Sequence, residues 1–80
     1  MSKVRARFTF HPELVTEPII YGLGQKFKVV TNIRRADVTE NQGWVVLELE
    51  GDDMEIKKGL DWVTNAGVRV DPLVGDIIEG

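Results

Sequence analysis

Val4, Ala6, Phe8 and Phe10 alternate without a break with Arg5, Arg7 and Thr9. Successive side chains of a strand point to opposite sides of a sheet, so this stretch predicts a strand with one buried and one exposed face. The pattern returns at 44–50, where Val45, Leu47 and Leu49 face one way and Trp44, Val46, Glu48 and Glu50 the other. Two such strands need a sheet covered on one side only, and the cover has to come from helices elsewhere in the chain.

Two stretches supply it. From Pro12 to about Phe27 the stripe Val15, Ile19, Gly22, Leu23 predicts a helix, with Leu14 at its margin. Pro12 suits a first helical position. Pro18 conflicts with a continuous helix and predicts a kink, or a restart with Thr16 as N-cap. In the second stretch Ile56, Leu60 and Val63 form an i, i+4, i+7 stripe with Gly59 as a close-packing point. Asp52 followed by Glu55 predicts a capping box at its start, and Gly67 a left-handed residue at its end.

Between the helices, residues 27–39 predict a strand. Phe27, Val29 and Ile33 share one phase, Ala36 and Val38 the other, and the change predicts a bulge within 32–35. Residues 39–43 are turn chemistry, which makes a hairpin with 44–50. Val68 and Val70 around Arg69 predict a short last strand. The order β-α-β-β-α-β defines an α+β, ferredoxin-like sandwich: a four-stranded antiparallel sheet with both helices on one face. One domain over 1–72 is expected, with a tail over 73–80. Leu73, Val74, Ile77 and Ile78 make that tail apolar enough to pack on the core or on a partner.

Several function classes are disfavoured. The net charge is −3, whereas a general nucleic-acid binder is basic. Stacking bases on this topology needs aromatics on the open face, and only Trp44 points there. No run of about 18 apolar residues is present, so no membrane insertion is expected, and with no signal-like N-terminus the expected location is the cytoplasm. There is no cysteine, and His11 is the only histidine, so no metal site or other cofactor is expected. Ser2 is the only serine, and no nucleophile or acid/base constellation is visible, so the chain is not expected to be an enzyme. The Gly22-Leu23-Gly24 motif lies inside a helix rather than between strand and helix, which argues against a phosphate loop. The acids Asp52, Asp53 and Glu55 suit a helix N-terminus rather than a calcium loop.

Two features point to binding. Arg34-Arg35, with Lys28 nearby, reads either as a solvated edge paired with Glu48 or Glu50 or as a carboxylate-capturing pair. Trp44 and Val46 form an apolar spot on the open face, as an interface would, and a homodimer through this face or an edge strand is expected.

The residues also resemble the NIL domain family from about Val4 to Val70. The resemblance rests on Phe8-Thr9-Phe10, Glu17-Pro18-Ile19-Ile20, Phe27, Val29-Val30-Thr31-Asn32-Ile33, Leu47-Glu48-Leu49-Glu50-Gly51, Leu60-Asp61-Trp62-Val63 and Gly67-Val68-Arg69-Val70, in that order. It implies a ferredoxin-like fold related to ACT regulatory domains. It also implies a role like that of the domains ending methionine-importer ATPases, which dimerise, bind methionine and inhibit transport. Other members precede iron–sulfur modules in ferredoxin-like proteins. The Asn-Ile-Leu motif that names the family reads Asn32-Ile33-Arg34 here, with arginine in place of leucine. Asn32 is the residue the resemblance carries over to a ligand site, with Ile33, Arg34 and Arg35 beside it and Trp44 as an apolar wall. The expected function is non-enzymatic binding of methionine or a related sulfur amino acid. The alternative is a module that docks, through Trp44, Val46 and the tail, on a separate ferredoxin-like, sulfur-metabolism or transporter protein.

Overall fold

The computed structural model describes residues 1–15, 17–39, 41–73 and 78–79. Strand β1 spans Ser2–Phe10 and β3 spans Gly43–Gly51. They pair antiparallel with Phe8 opposite Val45, Ala6 opposite Leu47 and Val4 opposite Leu49. Directly opposed residues share a face, so this register places both apolar sets on one side. Strand β2, Val29–Val38, lies outside β3, and β4, Arg69–Pro72, lies outside β1. The order β2-β3-β1-β4 with helices in both crossovers is the ferredoxin-like arrangement.

Two helices cover the apolar face: α1, Ile19–Lys26, and α2, Asp53–Asn65. Ile19 and Leu23 of α1, and Ile56 and Val63 of α2, close over Ala6, Phe8, Phe10, Val45, Leu47 and Leu49. Phe8 and Phe10 meet edge to face at 6.4 Å. The helices approach closely because each carries a glycine where the other places a large side chain. A Cβ on Gly22 would lie 2.9 Å from the Trp62 ring, and one on Gly59 would lie 2.6 Å from Leu23. Gly22 therefore serves packing within a helix. Gly67 holds φ at +102°, the left-handed stop expected after α2.

The first helical stretch differs from its expected extent. Pro12–Leu14 form a separate 3₁₀ turn, and α1 begins only at Ile19. Pro18 occupies the N-cap position, where it needs no donor, and the chain turns there instead of running through. Thr16 lies outside the described residues. Phe27 caps the end of α1 rather than opening β2. The capping box at α2 also fails to form. Asp52 stands at the N-cap but its side chain makes no capping bond. Glu55 instead accepts the Lys28 N–H at 2.9 Å, tying the helix to the chain entering β2, while Ser2 donates to Asp53. His11 precedes the 3₁₀ turn without a side-chain cap bond.

The change of phase in β2 is a bulge between Ile33 and Arg35. Its effect is to keep Val29, Ile33, Ala36 and Val38 all on the helix side, opposite Gly51, Leu47, Val45 and Gly43. The helices nevertheless leave much of β2 bare: Ile33 is 53% and Val38 56% exposed. Eight residues of α1 span about 12 Å, whereas ten residues of β2 span roughly 33 Å. The tail continues the sheet. Leu73 N–H donates to the Arg5 carbonyl, and β5, Ile78–Glu79, pairs with Ser2 and Lys3 beyond the end of β4. Val74 and Ile77 lie outside the described residues. Among the described residues no helix is long and apolar enough to cross a membrane.

Candidate functional site

The face without helices is a grid set by strand register. One row runs Asn32, Glu48, Arg5, and the next runs Arg35, Val46, Arg7, Asp71. The row after that runs Asp37, Trp44, Thr9, Arg69. Val46 is thus flanked by an arginine on each side, with backbones roughly 10 Å apart across it. The bulge adds Arg34 to the same edge. Long side chains on these strands lean over the small Val46 and leave a shallow cavity of about 470 Å³, lined by Arg5, Arg7, Arg34 and Arg35 with Trp44, Val46 and Leu73.

The arginines are not equivalent. Arg5 donates to Glu48 at 2.8 Å, and both side chains are largely covered. That hydrogen bond is the main reason the Glu48 carboxyl sits below the ordinary glutamate range. Its partial burial works in the opposite direction, and the charges of Arg34, Arg5 and Lys3 add to the lowering. Lys3 pairs in turn with Glu50 at 3.4 Å. The carboxylates expected to neutralise Arg34 and Arg35 are therefore taken by β1 instead, because β1 supplies a cation directly opposite each of them. Arg7, Arg34 and Arg35 are exposed and have no ion-pair partner among the described residues. At the edge of the grid Arg69 pairs with Asp71 at 3.1 Å.

The residues singled out in the sequence divide into three groups. Arg34, Arg35, Trp44 and Val46 come together in the arginine cavity. Asn32 lies one row away, in a smaller depression of about 130 Å³ with Lys3, Glu48 and Glu50. Ile33 is on the helix side of the sheet, opposite Leu47. Arg5 and Arg7 join the cavity without having been singled out as site residues, Leu73 was expected only as part of an apolar tail, and strand order explains the arginines. Arg7 is 27 residues before Arg34 and meets it only because β3 lies between their strands.

A second cavity, about 210 Å³, opens on the helix side between α1 and the hairpin tip, lined mainly by apolar residues such as Phe10, Ile19, Val38 and Val45. Among the described residues no group of three or more His, Asp or Glu side chains is placed to hold a metal ion.

The fold is that of a ferredoxin-like α+β domain, and its open sheet face is lined by cations. The NIL domain family model matches residues 4–72, and the chain belongs to that family. The chain is similar in structure to the C-terminal domain of an ABC transporter ATP-binding protein from Enterococcus faecalis, with a TM-score of 0.78 and 19% identity, over 91% of this chain and 86% of that one. No curated protein sequence matches the chain.

Proposed function

We propose that the chain is a non-catalytic regulatory domain that binds a small carboxylic acid with an apolar arm on its open sheet face. The observation that carries this reading is the convergence of Arg7, Arg34 and Arg35 around Trp44, Val46 and Leu73. A guanidinium presents a planar fork that matches a carboxylate, and the Trp44, Val46 and Leu73 wall accepts the uncharged remainder. A cavity of about 470 Å³ falls in the range of small-molecule sites. Methionine and other sulfur amino acids are the specific ligands this reading favours, in line with membership of the NIL family. The domain then acts in the cytoplasm on a transporter or a ferredoxin-like protein, its response set by whether the cavity is filled.

A thermal-shift panel of methionine, homocysteine and the other amino acids tests this. Ligand at about 100 times its dissociation constant adds ~2.7 kcal/mol to the native state. At roughly 4–8 °C per kcal/mol for a domain of this size, the shift is large. Asn32→Ala and Arg35→Ala separate the two depressions: loss with Arg35→Ala alone places the ligand over Val46, and loss with both extends the site to Asn32. A flat panel counts against the reading.

A second reading, protein docking, is favoured by β2. It is an edge strand of ten residues with exposed Val30, Ile33 and Val38 on its two sides. Such an edge is a template for another strand. Two copies pairing antiparallel about Ala36 would oppose Arg35 of each to Asp37 of the other, which makes a homodimer the partner to test first, by sedimentation of wild type and Asp37→Arg.

A further inference from the structure

We infer that the depression holding Asn32 and Glu48 is an ammonium pocket, so that a zwitterionic α-amino acid lies across two rows of the open face, its carboxylate over Val46 and its ammonium at Glu48. The inference rests on the small-molecule reading above and deepens it, naming the residues that tell an amino acid from a plain carboxylic acid. The smaller depression, about 130 Å³, is lined by Asn32, Glu48 and Glu50 with Lys3 and Val30. Acceptor-bearing side chains predominate there, whereas the adjoining cavity carries Arg5, Arg7, Arg34 and Arg35. Opposite poles thus lie side by side, as a ligand with both charges on one short frame requires.

The spacing fits such a ligand. Glu48 and Val46 are alternate residues of β3 on the open face, with backbones roughly 7 Å apart. In an α-amino acid the nitrogen and the carboxylate carbon are about 2.5 Å apart. A hydrogen bond of ~2.8 Å at each end reaches partner atoms roughly 8 Å apart, a span that side chains rooted one row apart can bridge. Strand β2 repeats the order, with Asn32 opposite Glu48 and Arg35 opposite Val46. Arg34 lines the larger cavity and its charge helps to lower the proton affinity of Glu48, so the two poles lie within electrostatic reach of each other. Glu48 also serves the sheet, accepting from Arg5 at 2.8 Å. A carboxylate offers about four acceptor positions, so that pairing is compatible with an ammonium donor, and the Asn32 amide oxygen supplies a second acceptor. The Glu48 side chain is largely covered, which strengthens a charge pair there relative to one on open surface.

The test is a titration of the full chain followed by ¹⁵N NMR at the Trp44 indole, with methionine and with its des-amino counterpart, methylthiobutanoate. A charge-assisted contact to the ammonium predicts that methionine binds about tenfold or more tighter. Glu48→Gln should abolish that preference by weakening methionine alone, leaving methylthiobutanoate no weaker than in the wild type. Glu48→Asp, which keeps the charge, should restore part of the preference. A purely structural role for Glu48 would weaken both acids equally in Glu48→Gln, and that result would overturn the inference. Arg35→Gln should weaken both acids, because it acts on the carboxylate they share, and Arg69→Gln, on the same face outside both depressions, should leave both unchanged. Equal binding of the two acids to the wild type, with both lost in Arg35→Gln, would overturn the ammonium pocket and leave the small-molecule reading standing. Shifts from neither acid would remove both.

Discussion

The two faces of the sheet are carried by alternate residues of the same strands, yet they are built on opposite terms. Toward the helices, Ala6, Phe8, Leu47 and Leu49 are fully buried and uniformly apolar. Toward solvent, β1 and β3 present the charged Lys3, Arg5, Arg7, Glu48 and Glu50, and the two apolar residues of these strands on that face, Trp44 and Val46, sit together. Burial dictates the first face: nearly any polar atom there would lose its water without replacement. Nothing in folding dictates the second. A solvated face would serve with its charges evenly matched, as Lys3 with Glu50 and Arg5 with Glu48 are. The next row departs from that pattern by setting Arg7 and Arg35 on either side of Val46. The difference teaches where function is to be sought, at the row where charge matching stops.

Neighbours on one strand test the comparison with the largest expected effect. Leu47→Ala removes a side chain with no exposure and should cost about 2–5 kcal/mol, enough to leave this small domain largely unfolded. Val46→Ala, one residue away on the open face, should cost under ~1 kcal/mol. Urea melts followed by circular dichroism give both values. Equal costs would mean that the open face is covered in solution, as a stable dimer would cover it.

The boundary between the layers gives the next effect. A Cβ on Gly51 would lie 2.7 Å from the Lys28 carbonyl, a backbone atom that cannot step aside. Gly51→Ala should therefore cost about 1–3 kcal/mol. Gly24→Ala, whose nearest new neighbour is the Val29 carbonyl at 3.9 Å, should instead stabilise α1 by about 0.4–1 kcal/mol. Melting midpoints of opposite sign confirm that the helix layer is tight at β2's first residue and slack on α1's outer side.

Each region also holds one carboxylate whose affinity for protons is reduced. Glu48 on the open face is lowered chiefly by the Arg5 hydrogen bond, and Glu55 on α2 chiefly by the Lys28 N–H. A folded-state pKa below the unfolded one adds stability once the group is ionised. That stability is present above the ordinary glutamate range and is lost as pH falls through the lowered folded value. The melting midpoint should therefore hold near neutrality and decline from about pH 5 downward. Glu55→Gln should flatten part of that decline while costing little else. Glu48→Gln should also lower the neutral midpoint, because it removes the largely covered carboxylate to which Arg5 donates. A decline unaltered in both variants would assign acid sensitivity to other groups.

Much of the covered face was legible from the chain alone, because alternation and helical stripes are direct records of burial. The β2 bulge was legible too, since a strand cannot keep apolar residues of two phases on one side of a sheet without one. What escaped depended on contacts between distant residues. Glu55 was free to cap its own helix or to reach Lys28, and only the fold shows the latter. The placement of Ile33 on the helix side and of Arg7 in the cavity follows from cross-strand register, which no single strand encodes. The pairing of β5 with the free edge of β1 beyond β4 was not legible either, since it required the length of β4 to be known.

The smallest expected effect bears most directly on the comparison. If the open face were arranged for stability, removing one of its unmatched charges would be harmful or neutral. If Arg7, Arg34 and Arg35 are held together for a ligand, their mutual repulsion is a standing cost, and relieving it should help the free protein. Arg35→Gln keeps the side chain's length and polarity and deletes the charge. It should raise stability by a few tenths of a kcal/mol at low salt, and the gain should shrink as salt screens the repulsion. The same substitution at Arg5, whose charge is matched by Glu48, should lower stability. Opposite signs at two arginines on adjoining rows of one face would separate the charge that serves the fold from the charge that serves the site. A loss of more than about 1 kcal/mol at Arg35 would instead make it part of the scaffold, outside the range expected for an exposed side chain with no structural role.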